Sequence, residues 1–179
     1  MRRVAVLSVA SMLALGACAG GGGGSATTAQ PASVGSVAIA PVMLSASAYV
    51  AMASSIDLFQ VKSAELALQR ANDPSNRAFA ERALSAHRGT SAQLSMAGRR
   101  LNLLPSATLD PGHQAMLDEL KAAPDFDRVY RSQQNMVLQE GLSLHEGYAK
   151  SGSSPTLRPV AANAENVMRS NLQALRSSR

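Results

Sequence analysis

The 179 residues contain no tryptophan, and aromatic side chains make up only 3% of them. A chain so poor in rings has no platform on which to stack nucleic-acid bases. Alternating runs of Val, Ile, Thr and Tyr are missing too, which argues against strands. The single cysteine, Cys18, excludes an intrachain disulfide and any cysteine-rich metal centre. An excess of one charge sign is also lacking. Arg2 and Arg3 belong to a leader, and removing these two from the 17 basic residues leaves 15 against 12 acidic ones, about +3. Apart from Arg99-Arg100 the remaining arginines are scattered singly among acids, a solvated mixed-charge surface and not a nucleic-acid footprint.

What the chain does have is Ala, Ser, Leu, Gln and Arg. That is the profile of a helical bundle whose helices approach closely through small residues. The length, less a leader, suits one domain.

Residues 1–17 have the three parts of a secretory signal: Arg2-Arg3, an apolar run from Val4 to Leu15, then small residues. The run is too short to span a bilayer, which takes about 20 apolar residues. Leu15-Gly16-Ala17-Cys18 also resembles the bacterial lipobox, in which the cysteine thiol receives a diacylglyceryl group and becomes an acylated N-terminus. Cys18 is therefore expected to be the lipidation site and the route to the membrane. Ala19 behind it, where an acidic residue often signals inner-membrane retention, favours the outer membrane. Cleavage after Ala17 or Ala19 would instead give a soluble periplasmic protein.

Residues 18–44 read as a tether, Gly/Ser/Thr-rich at first and unable to bury enough surface to fold. About 26 such residues span about 28 Å on average. The glycine run Gly20 to Gly24 is no phosphate loop, since no strand precedes it and no Lys-Ser/Thr follows. Val37 to Leu44 is apolar and interrupted by Pro41, and is expected to lie against the domain.

Residues 45–176 carry helical periodicity. A first long helix is expected from Ser45 to about Asn72, with Tyr49, Met52/Ala53, Ile56, Gln60, Ser63 and Ala67 on one stripe. Asp73-Pro74 supplies an N-cap and first-turn proline for a second, whose inward stripe holds Ala80, Ala83, His87, Thr90, Leu94, Ala97 and Leu101. Asn102 to Pro124 is a long connection containing a short helix, Pro111 to about Ala122, capped by Asp110. The third long helix runs from about Asp125 to Lys150 and the fourth follows a cap at Ser154-Pro155. The fold class is thus all-α, a four-helix bundle with a long connection between its second and third long helices, as in ferritin-like bundles.

The stretches DLFQVKSAELALQRANDPSNRAFAERALSAH, LDPGHQAMLDEL, FDRVYRSQQ and GYAKSG, in this order and spacing, resemble the domain-of-unknown-function family 4142. The likeness covers most of Ser45 to Leu175. It implies a ferritin-like bundle in a secreted or outer-membrane protein, and no established activity. The family pattern places a glutamate in the first helix and a histidine in each of the others; the matching positions here are Gln60, His87, Leu138 and Asn171. Only His87 survives as a usual metal ligand.

Geometry groups the same four residues. Gln60 and His87 are equidistant from the Asp73-Pro74 turn, and Leu138 and Asn171 from Ser154-Pro155. If the two hairpins pack with their middles level, all four share one layer of the core. Amides are poor ligands for Zn or Fe and leucine is none, so no metal and no cofactor is assigned. The chain also lacks the Glu-x-x-His pairs of di-iron bundles. Asp57, one turn from Gln60, is the nearest carboxylate. His87 is expected to hydrogen-bond Gln60 or Asn171 within a core polar layer of Gln60, His87 and Asn171. His113 is expected on the surface, and His145 at the core or its boundary.

No catalytic residue is assigned. None of the serines sits in a nucleophile elbow or beside a His-Asp arrangement that the spacing supports. Asp125 and Asp127 start a helix, where they complement its dipole. The sequence reading is a lipid-anchored envelope protein of unknown molecular activity, a non-enzymatic structural, interaction or stress-tolerance bundle, with an envelope protein as possible partner and no nucleic acid. A ferritin-like metal or redox protein centred on His87 is the alternative. A carrier of a small apolar ligand is a third reading, drawn from the small residues at core positions.

Overall fold

The computed structural model describes residues 43–178, so the leader, Cys18 and nearly all of the tether lie outside it. Five helices form: α1 (Ala46–Arg70), α2 (Pro74–Arg99), α3 (Pro111–Ala122), α4 (Phe126–Ser151) and α5 (Arg158–Ser177). No strand occurs among the described residues, and no helix among them is long and apolar enough to cross a membrane.

Short polar side chains set four of the helix starts. Ser45 Oγ accepts the Ala48 N–H at 3.1 Å, and Asp73 Oδ1 the Ser75 N–H at 2.8 Å. Asp110 Oδ1 accepts the His113 N–H at 2.9 Å, and Asp125 Oδ1 the Arg128 N–H at 3.3 Å. Each satisfies a donor that a helix end would otherwise leave orphaned, a contribution of about 1 kcal/mol.

The fourth long helix starts later than expected. Ser154-Pro155 does not cap it. The Ser154 carbonyl instead takes the N–H groups of Leu157 and Arg158 in a tight turn, and α5 begins at Arg158 with no side-chain cap. The turn delivers Leu157, fully buried, into the core beside Tyr148. Burying a leucine contributes about 1.5–3 kcal/mol, more than a cap does.

Directions follow from the cross-helix contacts. Ser63 pairs with Gln134 and Tyr49 with His145, so α1 runs against α4. Gln93 pairs with Asn163 and His87 with Asn171, so α2 runs against α5. The α1–α2 and α4–α5 hairpins thus pack side by side, with α2 and α4 diagonal and pointing the same way. That parallel pair requires the chain to return between them. Residues 100–125 do this, with α3 lying against α1 and α4.

The apolar core has two parts. One gathers Phe59, Phe79, Tyr130, Leu138 and Met168; the other, nearer the α1 N-terminus, gathers Tyr49, Leu94, Tyr148 and Leu157. On α2, His87 and Thr90 fall between them. Buried alanines, among them Ala53, Ala64, Ala80, Ala83 and Ala161, let the backbones approach.

The α2 C-terminus is held tightly. Asn102 takes a left-handed conformation (φ 54°) and the Leu103 N–H returns to the Gly98 carbonyl at 2.9 Å. A Cβ on Gly98 would lie 2.2 Å from the Leu103 carbonyl oxygen, so only glycine allows this approach.

Candidate functional site

The interior between the two apolar clusters carries a polar layer centred on His87, whose residue exposure is 0%. The α2 periodicity turns His87 inward with Ala83 and Leu94. Its Nδ1 lies 2.8 Å from Asp57 Oδ1 on α1, and its Nε2 3.3 Å from Asn171 Nδ2 on α5. Thr90 Oγ1 donates to the same Asp57 oxygen at 2.7 Å. With the ring proton on Nδ1, histidine donates to the carboxylate and accepts from the amide, so both nitrogens are engaged. Arg82 reaches Asn171 Oδ1 at 3.4 Å and Ser170 Oγ at 2.7 Å from the outer side of α2.

The sequence layer places Gln60, His87, Leu138 and Asn171 together, and all four are buried. The bonding differs from the expectation at one position. Asn171 binds His87, whereas neither amide atom of Gln60 has a hydrogen-bond partner among the described residues. The histidine's strong partner is Asp57. A carboxylate only accepts, which suits two donors converging on one oxygen; an amide would present its own N–H groups to them.

A second histidine, His145 on α4, is 1% exposed, with Nδ1 3.0 Å from the Tyr49 hydroxyl and Nε2 unpartnered. Tyr49 also stacks on Tyr148, ring centroids 3.9 Å apart. Burial pushes the His145 pKa down to about 4; Asp57 opposes this, while His87 adds to it. Burial, then the charge of Asp57, raises the Tyr49 hydroxyl above its ordinary range. A proton is therefore hard to add to His145 and hard to remove from Tyr49, which makes the pair a poor acid–base couple near neutrality.

His113 is not on the surface. It is 4% exposed, set against Phe59 with ring centroids 5.4 Å apart. Its Nδ1 lies 2.7 Å from Asp110 Oδ2 and 2.9 Å from Ser55 Oγ, and its Nε2 lies 3.3 Å from Glu140 Oε2. Burial raises the Asp110 pKa, but the His113 N–H, the Ser55 hydroxyl and the His113 charge outweigh it and hold the carboxyl below its usual range. Serine, histidine and aspartate meet here without making a nucleophile. Ser55 Oγ donates to Asp110 at 2.7 Å and accepts the Asp110 N–H at 2.9 Å, and both Ser55 and Asp110 crowd the same ring nitrogen. A catalytic triad needs the hydroxyl and the carboxylate on opposite nitrogens. The group fastens α3 to α1 and α4. The signal for it was present in the sequence: His113, Leu117 and Leu120 form an i, i+4, i+7 stripe, and all three are buried.

Asp125 and Asp127 divide their work. Asp125 caps α4, while Asp127 Oδ2 accepts the Asn72 N–H at 3.0 Å and the Asp73 N–H at 3.3 Å, tying the α1–α2 turn to α4. Cys18, the expected lipidation site, lies outside the described residues.

The donor set does not fit a metal ion. His87 has both nitrogens committed, Asp57 shares one oxygen between two donors, and Leu138 offers nothing. Among the described residues no group of three or more His, Cys, Asp or Glu side chains could hold one.

No curated protein matches the chain. The solved structure "CopM in the Cu(II)-bound form" is similar in fold, with a TM-score of 0.64 at 16% sequence identity, over 75% of this chain and 95% of that one. The family model described as "Domain of unknown function (DUF4142)" matches residues 30–177, and the chain belongs to that family.

Proposed function

We propose that the protein is a lipid-anchored component of the bacterial cell envelope, held at the outer membrane through Cys18 and facing the periplasm. Its bundle works there as a non-enzymatic binding or structural module. The observation that carries the non-enzymatic reading is the closure of the polar layer. His87 is fully buried and bonded at both nitrogens, so the group best suited to chemistry is spent on joining α1, α2 and α5. The parallel α2 and α4 with their long return support a ferritin-like connectivity. Anchoring rests on the lipobox-like Leu15-Gly16-Ala17-Cys18, since several acyl chains at about 0.8 kcal/mol per buried CH₂ make a stable anchor.

Fractionation tests the anchoring. The wild-type chain should sediment with outer membranes and Cys18→Ser should appear in the soluble periplasmic fraction; unchanged membrane association of the variant would reject it. A second reading, metal binding near His87, draws on the Cu(II) in the similar fold and on the unpartnered Gln60 and His145 Nε2. It requires the Asp57–His87 bond to open. Elemental analysis of protein grown with added copper, iron and zinc decides between them. Stoichiometric metal in wild type that is lost in His87→Ala would replace the non-enzymatic reading.

A further inference from the structure

One open cavity stands apart from the polar layer. A groove of about 610 Å³ runs along the outer seam of α1 and α2 and is closed at one end by the loop after α2. Leu58 and Val61 of α1 form its floor with the buried Leu94 of α2, while Leu104 and Pro105 of the loop form its end wall. The volume lies within the range of small-molecule sites, and such sites combine an apolar lining with a few placed polar groups.

Here the placed groups are cationic. Arg88 and Arg99 line opposite ends of the groove, eleven residues and so about 16 Å apart along α2. They are not equivalent. Arg88 is paired with Glu65 at 2.8 Å, whereas among the described residues the Arg99 guanidinium bonds only the Ser95 carbonyl of its own helix, from Nε at 3.3 Å. The guanidinium at the loop end therefore keeps donors for an anion, and the Arg88–Glu65 pair leaves the far end electrically balanced.

The end wall is built in advance. Gly98 lets the Leu103 carbonyl approach, Asn102 turns the chain, and Ser54 Oγ accepts the Ser106 N–H at 3.2 Å. Leu104 is held at the mouth with 76% of its surface exposed. A fixed loop that presents a leucine to water beside a free arginine matches an amphiphile with an anionic head and an unbranched tail.

We infer that this groove binds a medium-chain fatty-acid anion, its carboxylate on Arg99 and its alkyl chain along Leu58, Val61 and Leu94 toward Arg88. A cationic head would meet Arg99 unfavourably. The inference rests on the non-enzymatic reading of the bundle but not on anchoring at Cys18, which fractionation tests separately.

The test uses the chain from residue 18 with Cys18→Ser, titrated into dansyl-undecanoate and followed by fluorescence. Saturable binding is expected, with displacement by laurate at least tenfold more effective than by dodecyltrimethylammonium. Arg99→Glu should weaken binding at least tenfold. Leu104→Glu, at an exposed position and with circular dichroism expected to match wild type, should do the same, and Arg176→Glu, at the opposite end of the bundle, should change it less than twofold. Absence of saturable binding, equal displacement by both surfactants, or an unchanged Arg99→Glu would overturn the inference. So would binding that appears only after residues 19–42 are deleted, since the chain itself would then fill the groove. A dimer in sedimentation that Leu104→Glu dissociates would likewise overturn it, assigning the seam to a second copy.

Discussion

Asp57 and His87, thirty residues apart on antiparallel helices, meet at 2.8 Å in the middle of the bundle, where both are buried. Each completes the other: the carboxylate takes the ring N–H, and the ring holds the carboxylate in place for Thr90. Removing one partner strands the rest in a low-dielectric interior, which is costlier than removing both. Asp57→Ala should lower the unfolding free energy by about 3 kcal/mol and His87→Ala by a similar amount. The double variant should be less destabilised than the sum, with a coupling of at least about 1 kcal/mol. Urea unfolding of the four proteins measures it, and additivity within about 0.5 kcal/mol would show that the pair is not coupled.

Two glycines predict opposite outcomes for the same substitution. At Gly98 the added methyl meets backbone, the Leu103 carbonyl oxygen at 2.2 Å, which can move only if the loop does. At Gly141 it meets the Met168 thioether, with Sδ and Cε both at 2.9 Å, the flexible end of a side chain that can rotate away. Gly98→Ala should cost about 2 kcal/mol or more and speed hydrogen exchange at the Leu103 amide. Gly141→Ala should lie within about 1 kcal/mol of wild type, because the gain in helix propensity offsets the repacking. Equal urea midpoints for the two variants would contradict the close-approach account of the loop.

Acid should weaken the bundle through His145. Its pKa is depressed to about 4 by burial, while in the unfolded chain it titrates at about 6.5. Between those values the unfolded state binds more protons than the folded one, so stability falls as pH falls. The contribution is fully present above the unfolded pKa and is lost progressively down to the folded one, with a total on the order of 3 kcal/mol. His145→Gln should flatten the dependence of the unfolding free energy across this window. Parallel pH profiles for the variant and wild type would remove His145 as its cause.

How much of this could be seen in the residues depends on what each signal encodes. Asp73-Pro74 and Asp110-Pro111 punctuate the chain because a capping carboxylate and a first-turn proline act locally, and the α2 and α3 starts fall there. Ser154-Pro155 looks the same but does not start a helix, because burial of Leu157 decides the turn and that contact is long-range. Distance from the turn gives the height of a residue in a hairpin to within about one helical turn. It therefore groups Gln60 with His87 but does not choose between Gln60 and Asp57. The choice comes from donor and acceptor counts in a closed space, which become definite only once Thr90 is known to compete for the same oxygen. For His113 the stripe with Leu117 and Leu120 marks an inward face of α3, but it sits in a connection, and what that face packs against follows from where α3 docks.

That docking yields the last prediction. A helix of 12 residues is marginal on its own in water, so α3 persists through what it touches. Leu117 and Leu120 supply apolar contact, and His113 supplies the polar fastening, bridging Asp110 and Ser55 on one side of its ring to Glu140 of α4 on the other. His113→Ala removes the link to Glu140, the ring's contact with Ser55 and the ring packed on Phe59, leaving the Ser55–Asp110 bonds and the four long helices with their own core. Local opening of α3 should then become easier by about 1.4 kcal/mol or more, read as at least tenfold faster hydrogen exchange at its amides. Amides in the middle of α2 and α5 should exchange at rates set by global unfolding and change far less. Glu140→Gln should have a smaller effect in the same direction, because it keeps the ring, Asp110 and Ser55 in place. Uniform acceleration across all five helices in His113→Ala would instead mean that α3 opens only together with the rest of the bundle.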